Sequence, residues 1–409
     1  MVILFCGISF NRKDILKTFE PISKEADVFF IENFKPEDIT NSYIYSLGNV
    51  LFWNQYKDAF QLLEEVKPDK LVFVLLDNYY HFALYAAAKK KSIPILYLDH
   101  GIRFEEEFEN LSQLETSRKT TGFQRIKKSN PFVWLSFLKN LFFRNTTRLL
   151  DKTEATLMRS IFFFRGKNIH PTFMRAFGEN FIPDHFIIYS PTTWRFYKKF
   201  FSITNDDGIR VTYTGIPSLD TFISYKFHEK EKRKGVLFID QPLHEQNLLG
   251  WTKVNKYQFL KDLDRVVTKC GHYLVIKPHP WNEDIYTALE KETQIQIIRS
   301  EIKKEMIESE ISFVGSFNST LLLPFCAMEE IVTFCMENHP SPVSPSISAG
   351  ITKYKTAVEL KETEHLTSLL TDEKKYLELK NKNIPFFIQD VLYAFDGYSS
   401  TRMIKAILE

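Results

Sequence analysis

Two side chains suited to binding a phosphate group lie on a stretch that two prolines make rigid. Lys277 and His279 belong to Lys277-Pro278-His279-Pro280, which directly follows an apolar run ending at Ile276. The run has the length and β-branched content of a buried strand, and the prolines prevent both a continued ladder and an immediate helix. Ligands of open α/β sheets bind at the carboxyl ends of strands, so the pattern predicts an anion site. A surface histidine after an ordinary strand is the alternative.

Similar polar groups follow other apolar runs. A hydroxyl-rich turn, Gly315 to Thr320, precedes a predicted helix, and there Ser319 and Thr320 can cap the helix while backbone N–H groups hold a phosphate. A plain helix cap is the alternative for Ser319. The remaining strand-end groups are Asp99-His100 and Asp240-Gln241-Pro242-Leu243-His244-Glu245.

Strands alternate with helices in both halves of the chain, and the strands are apolar throughout. This alternation predicts parallel sheets covered on both faces, hence an α/β protein with two Rossmann-like domains facing across a cleft. The charged stretch Lys226–Lys234 predicts a linker, so we expect domains at 1–228 and 229–409, the second including the C-terminal helices. One long helical pattern is predicted over Tyr43–Glu65.

A basic, aromatic segment interrupts the first domain at about residues 104–180. From Arg118 to Lys167 it contains twelve Lys or Arg against two acidic residues, a local charge of +10. A helical segment of this composition is typical of contact with an anionic membrane surface, here 118–167 on the inner membrane. Packing of its aromatic residues on the first domain is the alternative. The aromatic residues are clustered with aliphatic ones, which argues against nucleic acid.

Composition excludes several classes of protein. The chain has 409 residues, 44% of them hydrophobic, and a net charge of +2, which predicts a globular protein without a polyanion partner. Its four scattered cysteines have no metal-binding spacing, which predicts reduced thiols in the cytoplasm. The apolar runs are shorter than the roughly 18 residues that cross a bilayer, and the apolar start is predicted to be a core strand. The glycine-rich dinucleotide fingerprint is absent, and Asp262-Leu263-Asp264 is predicted to lie on a solvated helix face.

The second half resembles the nucleotide-binding domain of GT-B glycosyltransferases, and in particular the bacterial sialyltransferase and polysialyltransferase group. Members of this group have a strand followed by Gln-Pro-Leu-x-Glu, then a His-Pro motif, then a Ser/Gly-x-x-Ser-Thr motif. This chain has Gln241-Pro242-Leu243-His244-Glu245, Lys277-Pro278-His279-Pro280 and Gly315-Ser316-Phe317-Asn318-Ser319-Thr320 in that order. The resemblance implies a GT-B fold whose binding residues for a CMP-sugar are Gln241, Glu245, Lys277, His279, Pro280, Gly315, Ser316, Ser319 and Thr320.

In the first half the resemblance depends on one motif. The group has two acidic residues followed by glycine, one of which is the general base, and this chain has Asp99-His100-Gly101. Asp99 and His279 are therefore the expected catalytic residues, and His100 is the alternative base. Because histidine replaces the second acid, transferases that use CDP-glycerol or CDP-ribitol, and capsule Kdo transferases, remain alternatives.

The resemblance implies an inverting transferase that moves sialic acid, or a related nonulosonic acid, from its CMP-sugar to a bacterial surface glycan or glycolipid. Capsule and lipooligosaccharide are the implied products, and no metal or other cofactor is required. The enzyme would act in the cytoplasm, bound peripherally to the inner face of the membrane. A sugar-nucleotide epimerase and a membrane-docked scaffold that binds no nucleotide are the rival classes.

Overall fold

The computed structural model describes residues 1–10, 16, 18–32, 36–39, 41–106, 141–164, 178–227, 233–245, 250–279, 284–317, 319–336 and 349–409. The chain forms two compact units. The first unit contains Met1–Ile102, Thr120–Ser218 and Tyr398–Glu409, and the second contains Arg103–Lys119 and Leu219–Gly397. Each unit is built on one parallel sheet.

The sheet of the first unit has seven strands in the order β3-β2-β1-β4-β5-β6-β7, and all neighbouring pairs are parallel. The central strands β5 and β6 are buried at every residue, as expected for a sheet that is covered on both faces. The strands are β1 Val2–Cys6, β2 Asp27–Glu32, β3 Asn49–Phe52, β4 Lys70–Phe73, β5 Ile95–Leu98, β6 His185–Ile188 and β7 Arg210–Tyr213.

The sheet of the second unit has six strands in the order β10-β9-β8-β11-β12-β13, again with parallel neighbours. Counted within its unit, this is the 3-2-1-4-5-6 order of the Rossmann fold, and the first six strands of the other unit's sheet follow the same order. The strands are β8 Gly235–Ile239, β9 Tyr273–Lys277, β10 Gln296–Ile297, β11 Ile311–Ser316, β12 Val332–Met336 and β13 Val358–Leu360.

Helices cover the sheets, and polar residues cap several of them. The Asp58 carboxylate accepts from Gln61 N, and the Thr252 hydroxyl accepts from Asn255 N. The α-helices are α1 Ile44–Leu47, α2 Ala59–Val66, α3 Tyr79–Lys90, α4 Leu141–Leu149, α5 Lys152–Phe164, α6 Pro191–Phe200, α7 Lys253–Lys269, α8 Asp284–Glu292, α9 Lys304–Glu310, α10 Leu323–Cys326, α11 Ala349–Thr352, α12 Leu366–Thr371, α13 Glu373–Phe387 and α14 Ser399–Leu408. Shorter 3-10 helices are Ile22–Lys24, Pro36–Asp38, Trp53–Gln55, Gly178–Phe181, Pro217–Ser224, Thr320–Leu322 and Thr363–His365, and Ile388–Leu392 is a π-helical turn.

The last helix, α14, packs in the first unit. Met403, Ala406 and Ile407 are part of the same buried cluster as Ile3 and Phe5 of β1. At its carboxyl end the helix is held by Lys70, whose Nζ donates to Ile407 O and Leu408 O, both at 2.9 Å. A cation at this position complements the helix dipole.

The strands predicted from the apolar runs are confirmed, but the helix predicted over Tyr43–Glu65 is wrong. The chain there forms α1, then β3, then α2. Gly48 ends α1 with extended backbone (φ 173°), and Asn49–Phe52 pairs with β2 in parallel. This strand lies at the edge of the sheet and is only partly buried, and its apolar run is limited to the three residues Val50–Phe52.

Part of the predicted insertion is described, as helices α4 and α5 of the first unit. Residues 107–140 and 165–177 lie outside the described residues, so about half of the segment 118–167 does too. Within the described ranges, no helix has the length and hydropathy needed to span a membrane. The four cysteines are free thiols, three of them buried.

Candidate functional site

Three polar loops of the second unit follow adjacent strands. In the register of the sheet, Ile239 at the end of β8 pairs with Lys277 on one side and with Ser316 on the other. The strand order reverses between β8 and β11, which is the position where open α/β sheets bind ligands. The structure therefore brings together at one sheet edge the predicted residues Gln241, Glu245, Lys277, His279, Gly315, Ser316, Ser319 and Thr320.

The loop after β9 begins with a half-buried cation. Lys277 Nζ donates to Ile298 O at 3.4 Å, and burial lowers the pKa of Lys277 while the charge of Glu301 opposes that shift. Pro278 is buried and His279 is half-buried. Pro280, the last predicted member of this loop, lies outside the described residues.

The loop after β11 is organised by two serine hydroxyls. The buried Ser316 Oγ accepts from Ser319 N at 3.2 Å, and Ser319 Oγ accepts from Leu321 N at 3.3 Å. Ser319 therefore caps the 3-10 turn Thr320–Leu322 that leads into α10. The neighbouring Thr320 is exposed, so its side chain is accessible from solvent.

Gly315 has a packing role in addition to the binding role expected from the resemblance. A Cβ atom at this position would lie 2.1 Å from Cζ of Phe334 on β12. No heavier side chain fits at that distance without moving the buried Phe334 ring.

The loop after β8 contains the predicted residues Gln241 and Glu245, both half-buried. Beneath it lie three buried residues that sequence reasoning did not assign to the site, namely Asp240, Lys256 and Tyr286. A weak signal for Lys256 was present, because it lies in the first turn of α7, where the helix dipole disfavours a cation.

In the first unit, Asp99 follows β5 and is buried. Its carboxylate accepts from Tyr197 Oη at 3.0 Å, Gly101 N at 3.3 Å and Tyr189 N at 3.4 Å. Burial and the Asp99 charge together raise the pKa of Tyr189. The carboxylate is 2% exposed and joins its own loop to the loop after β6.

His100 is the exposed member of the same motif. It follows Asp99 at the carboxyl edge of the first sheet, and the hydrogen bond from Gly101 N to Asp99 fixes the turn on which it lies. Of the two predicted bases, it is therefore the one that is exposed to solvent.

The acidic pair Asp262 and Asp264 lies on α7, as predicted, but both side chains are half-buried, and burial raises the pKa of Asp264. Asp262 forms an ion pair with Arg265 one helical turn away, at 3.0 Å, on the helix surface. Among the described residues, no group of three or more His, Cys, Asp or Glu side chains is arranged to hold a metal ion.

Comparison with solved structures identifies the class of fold. The glycosyltransferase of kitacinnamycin matches with a TM-score of 0.51 at 10% identity, over 100% of this chain and 97% of the other. MurG of Acinetobacter baumannii matches with a TM-score of 0.51 at 11% identity, over 100% and 99%. UGT2 of Phytolacca americana matches with a TM-score of 0.50 at 9% identity, over 100% and 98%. The two parallel sheets and these neighbours define a GT-B glycosyltransferase fold.

The family model for alpha-2,8-polysialyltransferase (POLYST) matches residues 12–337. The chain belongs to this family, and it is a glycosyltransferase. A search of the curated proteins gives no match. The family and the fold both agree with the resemblance found in the strand-end motifs.

Proposed function

We propose that this protein is an inverting glycosyltransferase that moves sialic acid, or a related nonulosonic acid, from a CMP-sugar to a bacterial surface glycan or glycolipid. The observation that carries the proposal is the set of three motif loops at the switch point of the second sheet, in a chain of the polysialyltransferase family. In the reaction, the acceptor hydroxyl oxygen bonds to the anomeric carbon as the bond from that carbon to the CMP phosphate breaks. The hydroxyl proton goes to a base on the protein.

The loops of the second unit are suited to the leaving phosphate. CMP gains negative charge as it departs, and the groups that would stabilise it are Lys277, His279 and the hydroxyls of Ser319 and Thr320. Lys277 is held at its strand end by Ile298 O, so its ammonium is positioned before the donor binds. This chemistry neutralises the phosphate with protein groups and needs no metal or other cofactor.

We assign His100 as the base and give Asp99 a positioning role. The Asp99 carboxylate is buried and accepts three hydrogen bonds, which leaves it poorly placed to meet an acceptor hydroxyl. His100 is exposed on the turn that Asp99 organises. An imidazole titrates near neutral pH, which suits proton removal under cytoplasmic conditions.

The first test compares two histidines at opposite ends of β9. His279 follows the strand, whereas His272 precedes it and lies 3.1 Å from Lys234 O through Nδ1. Thermal unfolding is measured with CMP, CDP, UDP and GDP for the wild type, His279→Ala and His272→Ala. We expect CMP to raise the melting temperature of the wild type and of His272→Ala, and to have little effect on His279→Ala.

Transfer of labelled sugar from the CMP donor to a sialylated acceptor then tests the reaction. A stronger stabilisation by CDP would contradict the CMP-sugar assignment and favour an alditol phosphotransferase. A preference for UDP would favour an epimerase or a hexosyltransferase, and no stabilisation by any nucleotide would favour a scaffold.

The base is tested by separate substitutions at the two positions of the motif. His100→Gln is expected to lower kcat by roughly 100-fold or more, with the donor KM unchanged. Asp99→Asn keeps the shape of the carboxylate and is expected to have a smaller effect on kcat. The opposite ranking of the two variants would identify Asp99 as the base.

We also propose that the enzyme acts in the cytoplasm, at the inner face of the membrane, through the segment 118–167. Support comes from the described part, where Arg148, Lys152 and Arg159 are exposed on α4 and α5. Phe142 and Phe143 do not contribute, because they pack on Trp53, Tyr79 and Tyr80 within the first unit. Replacing the three exposed cations by Gln should reduce sedimentation with anionic vesicles, and unchanged sedimentation would count against this surface.

A further inference from the structure

A buried ion pair lies beneath the loop that follows β8. Lys256 Nζ is 2.6 Å from Asp240 Oδ2, and the two side chains are 2% and 0% exposed. Asp240 is the first residue after β8, and Lys256 is in the first turn of α7. Neither residue belongs to the motif positions that are expected to contact the donor.

The lysine also holds both ends of the motif loop. Its Nζ donates to Gln241 O at 3.0 Å and to the Glu245 carboxylate at 3.3 and 3.4 Å. His244 Nε2 lies 3.5 Å from the same carboxylate. One ammonium group therefore fixes the main chain at the start of the loop and the acidic side chain at its end.

The aspartate joins this loop to the neighbouring Lys-Pro-His-Pro loop. Asp240 N donates to Lys277 O at 3.0 Å, and Asp240 Oδ2 accepts from the hydroxyl of Tyr286. Tyr286 is fully buried on α8, the helix that follows the Lys-Pro-His-Pro loop. Asp240 is thus bonded both to α7, through Lys256, and to α8, through Tyr286.

We propose that Lys256 and Asp240 are positioning residues for the nucleotide, and that they set the spacing between the Gln241–Glu245 loop and the Lys277–His279 loop. A buried ion pair is a poor source of stability, because removing two charges from water costs about as much as their attraction returns. What the pair supplies here is a fixed geometry for the groups above it. This inference rests on the proposed function only in taking the three loops as the donor site.

The test compares Lys256→Met with Lys380→Met. Lys380 is a second fully buried lysine of the same unit, on α13, and it donates to main-chain carbonyl oxygens that include Phe325 O and Met328 O, both at 2.6 Å. Either substitution removes a buried cation, but Lys256 alone contacts the motif loop. We expect Lys256→Met to raise the CMP dissociation constant and the donor KM at least tenfold, with the acceptor KM within twofold of the wild type. Lys380→Met should leave all three constants within twofold.

Tyr286→Phe provides a milder variant should Lys256→Met fail to fold. It removes one hydroxyl donor to Asp240 and leaves the ion pair in place, and we expect a rise of about threefold in the CMP dissociation constant. The positioning role is wrong if nucleotide affinity in Tyr286→Phe and in folded Lys256→Met equals that of Lys380→Met.

Failure of the proposed function gives a different result. If the wild type binds another nucleotide instead of CMP, the donor assignment is wrong, and the same variants are titrated with that nucleotide. Loss of its affinity in Lys256→Met alone still supports the positioning role, and equal affinity in both lysine variants overturns it.

Discussion

Two buried lysines of the second unit lie at opposite edges of one sheet, and they differ in the groups that they contact. Lys256 lies under the carboxyl edge and contacts the carboxylates of Asp240 and Glu245. Lys380 lies at the amino edge, where Ile331 precedes β12, and contacts main-chain carbonyl oxygens. The carbonyl groups bonded to Lys380 are those of Phe325, Met328 and Ile331.

This difference separates the two uses of a buried cation. Lys380 joins backbone segments through its hydrogen bonds, so it contributes to the stability of the fold. Lys256 holds side chains and a loop at the predicted donor site, so it determines the positions of the groups above it. Because Lys380 lacks a contacting carboxylate among the described residues, burial lowers its pKa to about 7, against the weaker effects of Cys326, Glu330 and Glu329.

The largest expected effect is the loss of stability when the Lys256–Asp240 ion pair is broken. Lys256→Met leaves the Asp240 carboxylate buried without its cation, and Asp240→Asn leaves the ammonium without its main partner. Each change should lower the free energy of unfolding by roughly 3–5 kcal/mol. In the double variant the losses should not add, with a coupling of about 2 kcal/mol measured by urea denaturation. Additive losses would show that the two charges act independently.

Lys380→Met should have the next largest effect, on stability alone. The three carbonyl oxygens lose their donor, and we expect the free energy of unfolding to fall by about 2 kcal/mol. CMP affinity, measured on the same protein at a temperature where it is folded, should match the wild type. A weaker affinity would mean that the amino edge of the sheet also shapes the site, and would remove the distinction between the two lysines.

A smaller effect is expected from pH, through the contribution of Lys380 to the free energy of unfolding. The folded-state pKa of Lys380, about 7, is below the ordinary lysine value of 10.5, so the unfolded chain binds more protons between these limits. The contribution of Lys380 to stability therefore rises as the pH increases from 7 towards 10, by at most about 1.4 kcal/mol per pH unit. The check is the difference in unfolding free energy between wild type and Lys380→Met at pH 7 and pH 9. A difference that stays constant would place the pKa outside this window.

The smallest effect is expected on the surface of α7, the helix that carries Lys256. Asp262 forms a partly exposed ion pair with Arg265, and surface pairs of this kind contribute about 1 kcal/mol or less. Asp262→Asn should change the unfolding free energy by less than about 0.5 kcal/mol and leave transfer activity unchanged. A marked loss of activity would show that this acidic pair takes part in the reaction.

The sequence predicts the central strands well, because residues buried on both faces of a sheet form continuous apolar runs. It does not predict β3 or β13, each of which lies at one edge of its sheet, although the other two edge strands, β7 and β10, are predicted. The two missed strands are partly exposed, and β13 has three residues with the pattern Val-Glu-Leu. With so few residues, neither of these two segments is distinguished by its sequence alone from a turn or a short helix.

The candidate site is predictable for a related reason. Carboxyl ends of parallel strands meet at one edge, so polar residues after predicted strands can be grouped before the structure is known. The buried residues that hold those loops from beneath cannot be predicted in the same way. Lys256 belongs to Lys253-Val254-Asn255-Lys256, which resembles an exposed helix start, and its ammonium lies over the ring of Tyr286, thirty residues further along the chain.

The packing of α14 in the first unit has a consequence for the order in which the protein folds during synthesis. All seven strands of the first sheet have been translated once Tyr213 is made, yet Met403, Ala406 and Ile407 of its core come nearly two hundred residues later. The second unit is complete in the nascent chain before those residues leave the ribosome. Domains usually fold from the amino end as they emerge. Here the core of the amino-terminal unit cannot be completed until α14 has been made, although the strands of its sheet are among the first segments synthesised.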